Sequence, residues 1–415
     1  MNTPVLLSAL WILLLLAGWL RIQKHLPWAE ASTVQAVLLV GTAALLARFV
    51  PNLLLPAGSA YDVESYRIVA DLLLDGQEVY DQTASVNRHP YLPFQMYWMS
   101  LARWSSLALG LPFVKIVRLA PIAADVGIAL LLFASLRRMG TKAGLKGGLS
   151  YALNPIPVFV CAYHGQFDAI AALLTVLAIY WLNRSPALAG GWLGLGILSK
   201  SWPVLALPSL FVGTRGLKNR TAFLGVTLAV PLAGIALYIA LIGGDPGSIL
   251  ERALGYNWGL GVWGYTYSLR LISLIRPGST ALFDWFIQNG RYITLCALAL
   301  VWLFRARKQQ PGDGILTTLV AFLAVTHAFS IQYLMWVVPF AILVRDRRWL
   351  TRYTLAAFAY MFLVYMTLIL TDKVTHLLPW PQADWFIIIP ASIPAWLVTV
   401  GWLVSRVMGN RAERT

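Results

Sequence analysis

Residues 221–242 read TAFLGVTLAVPLAGIALYIALI, a run without a single charge. About 20 consecutive apolar residues are what an α-helix needs to cross a bilayer. Comparable segments recur along the whole chain, at 4–20, 33–55, 114–136, 147–162, 167–182, 187–199, 202–213, 287–305, 315–329, 331–345, 351–370 and 384–404. The composition agrees. Of 415 residues 59% are hydrophobic and 12% charged, whereas a soluble domain carries about twice that charge. These features predict an all-α, polytopic membrane protein with about thirteen crossings, several of them short or broken, in one membrane domain spanning residues 1–415. The first segment lacks a basic leader and is read as a retained helix rather than a signal peptide.

The net charge of +15 does not point to nucleic acid. Lys and Arg of membrane proteins collect in cytoplasmic loops, and here they fall where the parity of crossings demands: Arg21 and Lys24; Arg137, Arg138, Lys142 and Lys146; Arg184; Arg215, Lys218 and Arg220; Arg305, Arg307 and Lys308; Arg345, Arg347, Arg348 and Arg352; then Arg406, Arg411 and Arg414 in the tail. Two cysteines, Cys161 and Cys296, define neither a disulfide framework nor a metal cluster.

This topology leaves two long outer loops. The first, 56–112, carries Tyr61-Asp62-Val63-Glu64-Ser65-Tyr66-Arg67 at its start. Residues 66–75 within it have helical apolar spacing and predict an interfacial helix. Segment 92–111 is apolar but holds Arg103, and charge parity makes it a second interfacial or re-entrant helix. The second loop, 243–286, is rich in Gly and in aromatics (Tyr256, Trp258, Trp263, Tyr265, Tyr267). It reads as a mobile lid or a surface for carbohydrate contacts, or else as an aromatic belt. The pairs 187–213 and 315–345 are too short for two full spans each and predict broken helices. Their polar tips are Ser199-Lys200-Ser201-Trp202-Pro203 and His327-Ala328-Phe329-Ser330-Ile331-Gln332-Tyr333. Broken backbone at such depth must be buried in protein or line a wet cavity.

Asp62 and Glu64 can serve as acid and base or hold a divalent ion; they can equally be a solvated acidic loop. His164-Gly165-Gln166-Phe167-Asp168 is a site or a helix start capped by Asp168. Lys200 is a lone cation in an apolar setting, functional by default unless it snorkels to the interface. Arg88, His89 and Arg118 add outer-side positive charge. His327, Gln332 and Tyr333 are each ligands or packed polar residues. All fall on the side of the first loop, so an outward cavity lined by Asp62, Glu64, Asp168, Lys200 and Gln332 is the economical arrangement. A base beside cations suits transfer from a phosphate-linked donor.

At these motifs, over about residues 20 to 345, the chain resembles the GT-C superfamily of polyprenyl-phosphate-sugar-dependent glycosyltransferases. Asp62-Val63-Glu64 resembles that family's first-loop D-x-D or D-x-E. The run to Arg67, and His164 to Asp168, resemble motifs of the lipid-linked-oligosaccharide glucosyltransferases. Arg88-His89-Pro90-Tyr91-Leu92-Pro93, Asn154-Pro155-Ile156-Pro157, Gly194 to Val204, and Phe329 to Tyr333 with Trp336 look more like the first GPI mannosyltransferase. Glu64 and Asp168 depart from the respective patterns, so the sugar is mannose or, alternatively, glucose or arabinose.

The resemblance implies an inverting glycosyltransferase with Asp62 as general base and Glu64 orienting the acceptor or Asp62. It implies donor phosphate on Lys200 with Arg88 or Arg118, and sugar or acceptor on His89, His164, Gln166, Asp168, Trp202, His327, Gln332 and Tyr333. No cofactor is firmly implied. The polyprenyl-phosphate sugar is a substrate, and a divalent ion at Asp62 and Glu64 is the alternative left open. The expected partners are this donor, a lipid-linked acceptor and membrane lipid, with no nucleic acid and no defined accessory subunit. The expected location is a bacterial plasma membrane with an outward site, or a lumenal site in the endoplasmic reticulum if eukaryotic. The rival from another class is a lipid or solute transporter, but no internal repeat supports it.

Overall fold

The computed structural model describes residues 3–26, 28, 30–85, 88–255, 261–276, 278, 280–369, 386 and 388–409. Among these, all regular structure is helical, as the apolar runs predict. Six helices are long and apolar enough to cross a membrane: Thr3–Lys24, Thr33–Leu54, Phe113–Met139, Leu217–Ile242, Ala281–Lys308 and Ile389–Met408. Six shorter apolar helices accompany them: Pro155–His164, Asp168–Trp181, Pro186–Ser199, Trp202–Gly213, Pro311–Val325 and Ile331–Leu343. The remaining expected crossing, 351–370, is helical over Arg347–Val364 and Tyr365–Ile369. Its first turns hold Arg347, Arg348 and Arg352, which dilute its apolarity. The chain groups into two compact units, Met1–Tyr256 and Asn257–Thr415.

In the first unit, α1 (Thr3–Lys24) and α2 (Thr33–Leu54) form a hairpin. The Ser32 side chain accepts from Gln35 N and the Gln35 side chain from Ser32 N, a reciprocal box that starts α2. Next come α3 (Ala60–Leu74), α4 (Gln95–Leu109), the short α5 (Phe113–Val117), α6 (Leu119–Leu136) and α7 (Thr141–Ala152). The expected single segment 147–162 is corrected here. Helix α7 stops at Ala152, and Asn154 caps a new short helix, α8 (Pro155–Val158), by accepting from Ile156 N. Pro155 at the first helical position has no N–H to lose there. A π-helical turn over Phe159–His164 continues it. The unit closes with α9 (Asp168–Trp181), α10 (Pro186–Ser199), α11 (Leu207–Gly213), α12 (Leu217–Ile242) and α13 (Pro246–Leu254).

The pairing of α10 with α12 depends on small residues. A Cβ on Gly190 would lie 2.4 Å from the Phe223 carbonyl oxygen, and one on Gly194 would lie 2.8 Å from Val230 Cβ. Small residues give such backbone approach where lipid removes the hydrophobic drive between helices. Helices α2, α6 and α7 are tied differently. Arg48 Nε donates to Asp125 Oδ2 at 2.8 Å, Tyr151 donates to Asp125 Oδ1, and Arg48 Nη1 donates to the Ala152 carbonyl at the end of α7. Arg48 and Asp125 are both fully buried. Removing one member would leave an uncompensated charge, which costs several kcal/mol (~3–5).

Helices α3 and α4 pair over Tyr66, Val69 and Ala70 on one side and Met96, Met99 and Ala102 on the other. The expected helix at 66–75 starts six residues earlier, at Ala60. Asp62 therefore occupies its first turn, where a carboxylate faces the positive end of the helix dipole. The expected helix within 92–111 is present as α4.

The second unit contains α14 (Gly264–Ile275), α15 (Ala281–Phe304), α16 (Pro311–Val325), α17 (Val337–Leu343), α18 (Arg347–Val364) and α19 (Ser392–Met408). Much of 243–286 is helical, in α13, α14 and the start of α15. Trp263 stacks on Phe329 at 4.4 Å and donates to the Leu323 carbonyl, and Tyr265 donates to the Val325 carbonyl. With Tyr267 also buried, these aromatics are packing anchors; Tyr256 and Trp258 lie outside the described residues. Arg406, expected in a solvated basic tail, is buried. It donates to Asp313 Oδ1 at 2.8 Å and Asp346 Oδ2 at 2.9 Å. Arg411 and Arg414 lie outside the described residues.

Candidate active site

Four segments of the first unit converge around Asp62. The N-terminal turn of α3 supplies Asp62 itself. The turn after α8 supplies His164, Gly165 and Gln166, the start of α9 supplies Asp168, and the end of α10 supplies Lys200. The local folding of the second segment explains its geometry. The π-turn ends at Gly165, whose φ of 90° is the left-handed conformation that glycine adopts freely, and Gln166 N returns to the Val160 carbonyl. This reversal aims His164 and Gln166 back toward α3.

His164 Nε2 lies 2.5 Å from Asp62 Oδ2. The backbone closes the same gap, since Ser59 N donates to the His164 carbonyl at 3.2 Å. Gly58 permits the approach, because a Cβ there would lie 2.6 Å from that carbonyl oxygen. The Asp62 side chain keeps 26% exposure while that of His164 has 6%, so the carboxylate is the member open to a ligand. Burial pushes the Asp62 carboxyl up. The hydrogen bond and charge of His164, the neighbouring Gln166 amide and the charge of Lys200 together outweigh that and hold it below the usual carboxylate range. Asp62 is therefore ionised at neutral pH.

Lys200 follows the last turn of α10 in extended backbone. Its Nζ donates to Asp168 Oδ2 at 2.7 Å and reaches Gln166 Oε1 at 3.5 Å, with the Tyr91 ring beneath it at 5.2 Å. Asp168 is fully buried and Lys200 is 6% exposed. Asp168 is the first residue of α9, and α9 has no side-chain cap; of the two expected roles, the carboxylate takes up the ion pair. Trp202, also buried, opens the three-ten turn Trp202–Ala206 just after Lys200.

Several expected site residues stand elsewhere. Glu64 is corrected: it does not face the same way as Asp62. Two residues apart on a helix, the side chains point about 200° from each other. Glu64 instead binds Arg67 at 2.5 Å; Arg67 also binds Asp71 at 2.9 Å, and Arg103 of α4 binds Asp71 at 2.7 Å. That ladder is an exposed seam between α3 and α4, and a shared ion at Asp62 and Glu64 has no geometric basis here. Arg118, expected near phosphate, is fully buried beneath the site. Its Nη2 donates to the Ala57 and Tyr163 carbonyls, gathering the segments that lead to Asp62 and His164, while Nε and Nη1 have no hydrogen-bond partner among the described residues. Arg88 lies at the rim, over the Tyr61 ring at 5.0 Å, with Nη1 donating to Ser65 Oγ. His89 is buried between Tyr80 and Tyr91, and burial lowers its imidazole to about 4; it is neutral.

His327, Gln332 and Tyr333 belong to the second unit and are buried there. His327 Nδ1 lies 3.3 Å from Thr294 Oγ1, over Gly290, and Tyr333 packs on Trp336 at 4.2 Å.

Two features were not foreseen from sequence: Tyr91 as the surface under Lys200, and His164 as the hydrogen-bond partner of Asp62. The left-handed Gly165 after His164 was the available signal for the second.

Residues 105–330 match glycosyltransferase family 87. This is more than half of the chain, and the protein belongs to that family, one of the GT-C type. It is a membrane glycosyltransferase. The matched span includes His164, Gln166, Asp168 and Lys200 and begins after Asp62. No curated protein matches the chain.

Proposed function

We propose that this glycosyltransferase moves a sugar, with mannose as the first candidate, from a polyprenyl-phosphate carrier to a hydroxyl of a lipid-linked or membrane-proximal acceptor. Asp62 is the general base. The single observation that carries the reading is an ionised, part-exposed carboxylate at the first turn of α3, hydrogen-bonded by His164 and within the field of Lys200.

The acceptor hydroxyl gives its proton to Asp62 as its oxygen bonds to the anomeric carbon. The bond from that carbon to the phosphate oxygen breaks on the opposite face, and the phosphate leaves with the electron pair, so configuration inverts once. A carboxylate held low is a weak base, but it is present in ionised form. The hydroxyl also becomes acidic as its oxygen bonds to carbon. His164 fixes the carboxylate through one oxygen and leaves the other for the acceptor. Lys200, with three N–H donors, and Arg88 at the rim neutralise the leaving phosphate. Gln166 is the candidate contact to a sugar hydroxyl, Asp168 positions the Lys200 ammonium, and Arg118 holds the two loops in register.

The test is transfer from synthetic short-chain polyprenyl-phosphate mannose, glucose and arabinose into membrane lipid. Preference for one donor names the sugar. Transfer from nucleotide sugars alone would overturn the donor assignment, and net movement of lipid or solute without transfer would favour a transporter.

A further inference from the structure

The far end of the α9–α10 hairpin, remote from Asp168 and Lys200, carries a cluster that the reaction does not use. Arg138, in the turn after α6, and Arg184, in the loop after α9, both lie over the ring of Tyr180, at 5.3 and 4.3 Å from its centroid. Arg184 also lies over Trp181 at 5.6 Å, so two guanidinium groups share one aromatic pair. Neither arginine is in any of the ion pairs among the described residues. Between residues 126 and 244 the only acid is Asp168, and it is held by Lys200.

Ordinary solvated arginines spread apart, because like charges repel. Here two are drawn onto one phenol with no carboxylate between them. Both are exposed, as are Met139, next to Arg138 in sequence, and Leu188, four residues after Arg184. A planar fork of donors from two sides suits a phosphate group, and an aromatic pair with apolar neighbours suits the headgroup level of a membrane. Basic recesses between membrane helices are matched to anionic lipid headgroups.

We propose that Arg138, Tyr180 and Arg184 form a binding site for the phosphate of an anionic phospholipid, distinct from the proposed active site. The lipid would join the end of α6 to the α9–α10 loop. This inference does not depend on the sugar-transfer reading.

The experiment is native mass spectrometry of the full chain in neutral detergent with phosphatidylglycerol or phosphatidylcholine, alongside thermal unfolding with each lipid and with inorganic phosphate. Phosphatidylglycerol is expected to bind and raise the unfolding temperature. About fivefold in affinity should be lost per arginine removed, or about 25-fold in R138A/R184A. R138K/R184K, which keeps both charges and guards against a folding artefact, should retain part of the binding. R215A/K218A, which removes charge elsewhere on the surface, should retain nearly all of it. Unchanged phosphatidylglycerol binding in R138A/R184A, equal binding of phosphatidylcholine, or an equal loss in R215A/K218A would each overturn the site. The same stabilisation by inorganic phosphate alone would overturn the lipid as its ligand.

Discussion

Asp62 and His164 stand 102 positions apart in sequence and meet at 2.5 Å, joined a second time by the Ser59 amide on the His164 carbonyl. The carboxylate is thus oriented by a partner on another element and is charged before any substrate arrives.

Replacing His164 by Phe removes the leading favourable influence on Asp62 and leaves burial opposing its charge. A hydrogen bond to a charged group is worth about 1.5–3 kcal/mol, so sugar transfer should fall roughly 10- to 100-fold. The sign follows from the shift. Asp62 is held low in the folded protein, so the base form is present above that lowered value. Without His164 the carboxyl rises, and the acid limb of the pH–rate profile should move to higher pH. The stability that the depressed carboxyl contributes in the wild type is present above its unfolded pKa of about 4 and fades as pH falls through the folded value. That dependence should flatten in the variant. An unmoved acid limb would separate His164 from the base.

The buried pair of Asp168 and Lys200 should behave as a unit. Asp168→Asn or Lys200→Met alone strands a charge and should cost about 3–5 kcal/mol, read as a lower unfolding temperature in detergent. The double variant should cost clearly less than the sum. Additive losses would mean that the two do not act on each other.

Glu64 belongs to the exposed seam with Arg67, Asp71 and Arg103. Glu64→Gln should change stability by less than about 1 kcal/mol and leave the transfer rate within about twofold. A loss like that of an Asp62 variant would return Glu64 to the reacting centre.

Gly58 has no room for a side chain, since a Cβ would press on the His164 carbonyl at 2.6 Å and on Arg118 Nη2 at 2.7 Å. Gly58→Ala should force the loops apart, cost about 1–3 kcal/mol and lower transfer without changing donor preference. Normal kinetics would show that the close approach is dispensable.

The membrane class was legible because hydrocarbon permits few solutions: apolar runs must be helices, and the breaks at Lys200 and near His327 fell at polar tips. The pairing of Asp168 with Lys200 was half legible, as two charges in apolar surroundings that must be compensated. The pairing of Asp62 with Glu64 misled because D-x-E reads as one site only if the backbone is extended. Once α3 begins at Ala60, the two side chains diverge. Arg48 with Asp125, and Arg406 with Asp313 and Asp346, were not legible, because a buried partner can lie on any of a dozen helices and sequence distance carries no hint of it. The aromatics at 263–267 looked like a sugar platform because packing and stacking use the same residues.

The central claim is that the Asp62 carboxylate takes the proton of the acceptor. The most direct measurement is the rate of sugar transfer by Asp62→Asn, a change that keeps size and hydrogen bonding and removes the base, in protein shown to unfold at the wild-type temperature and to bind the polyprenyl-phosphate donor. Transfer should fall by about three orders of magnitude or more with donor affinity changed little, in line with loss of a general base. Transfer within a few-fold of wild type would contradict the account and move the base to another residue.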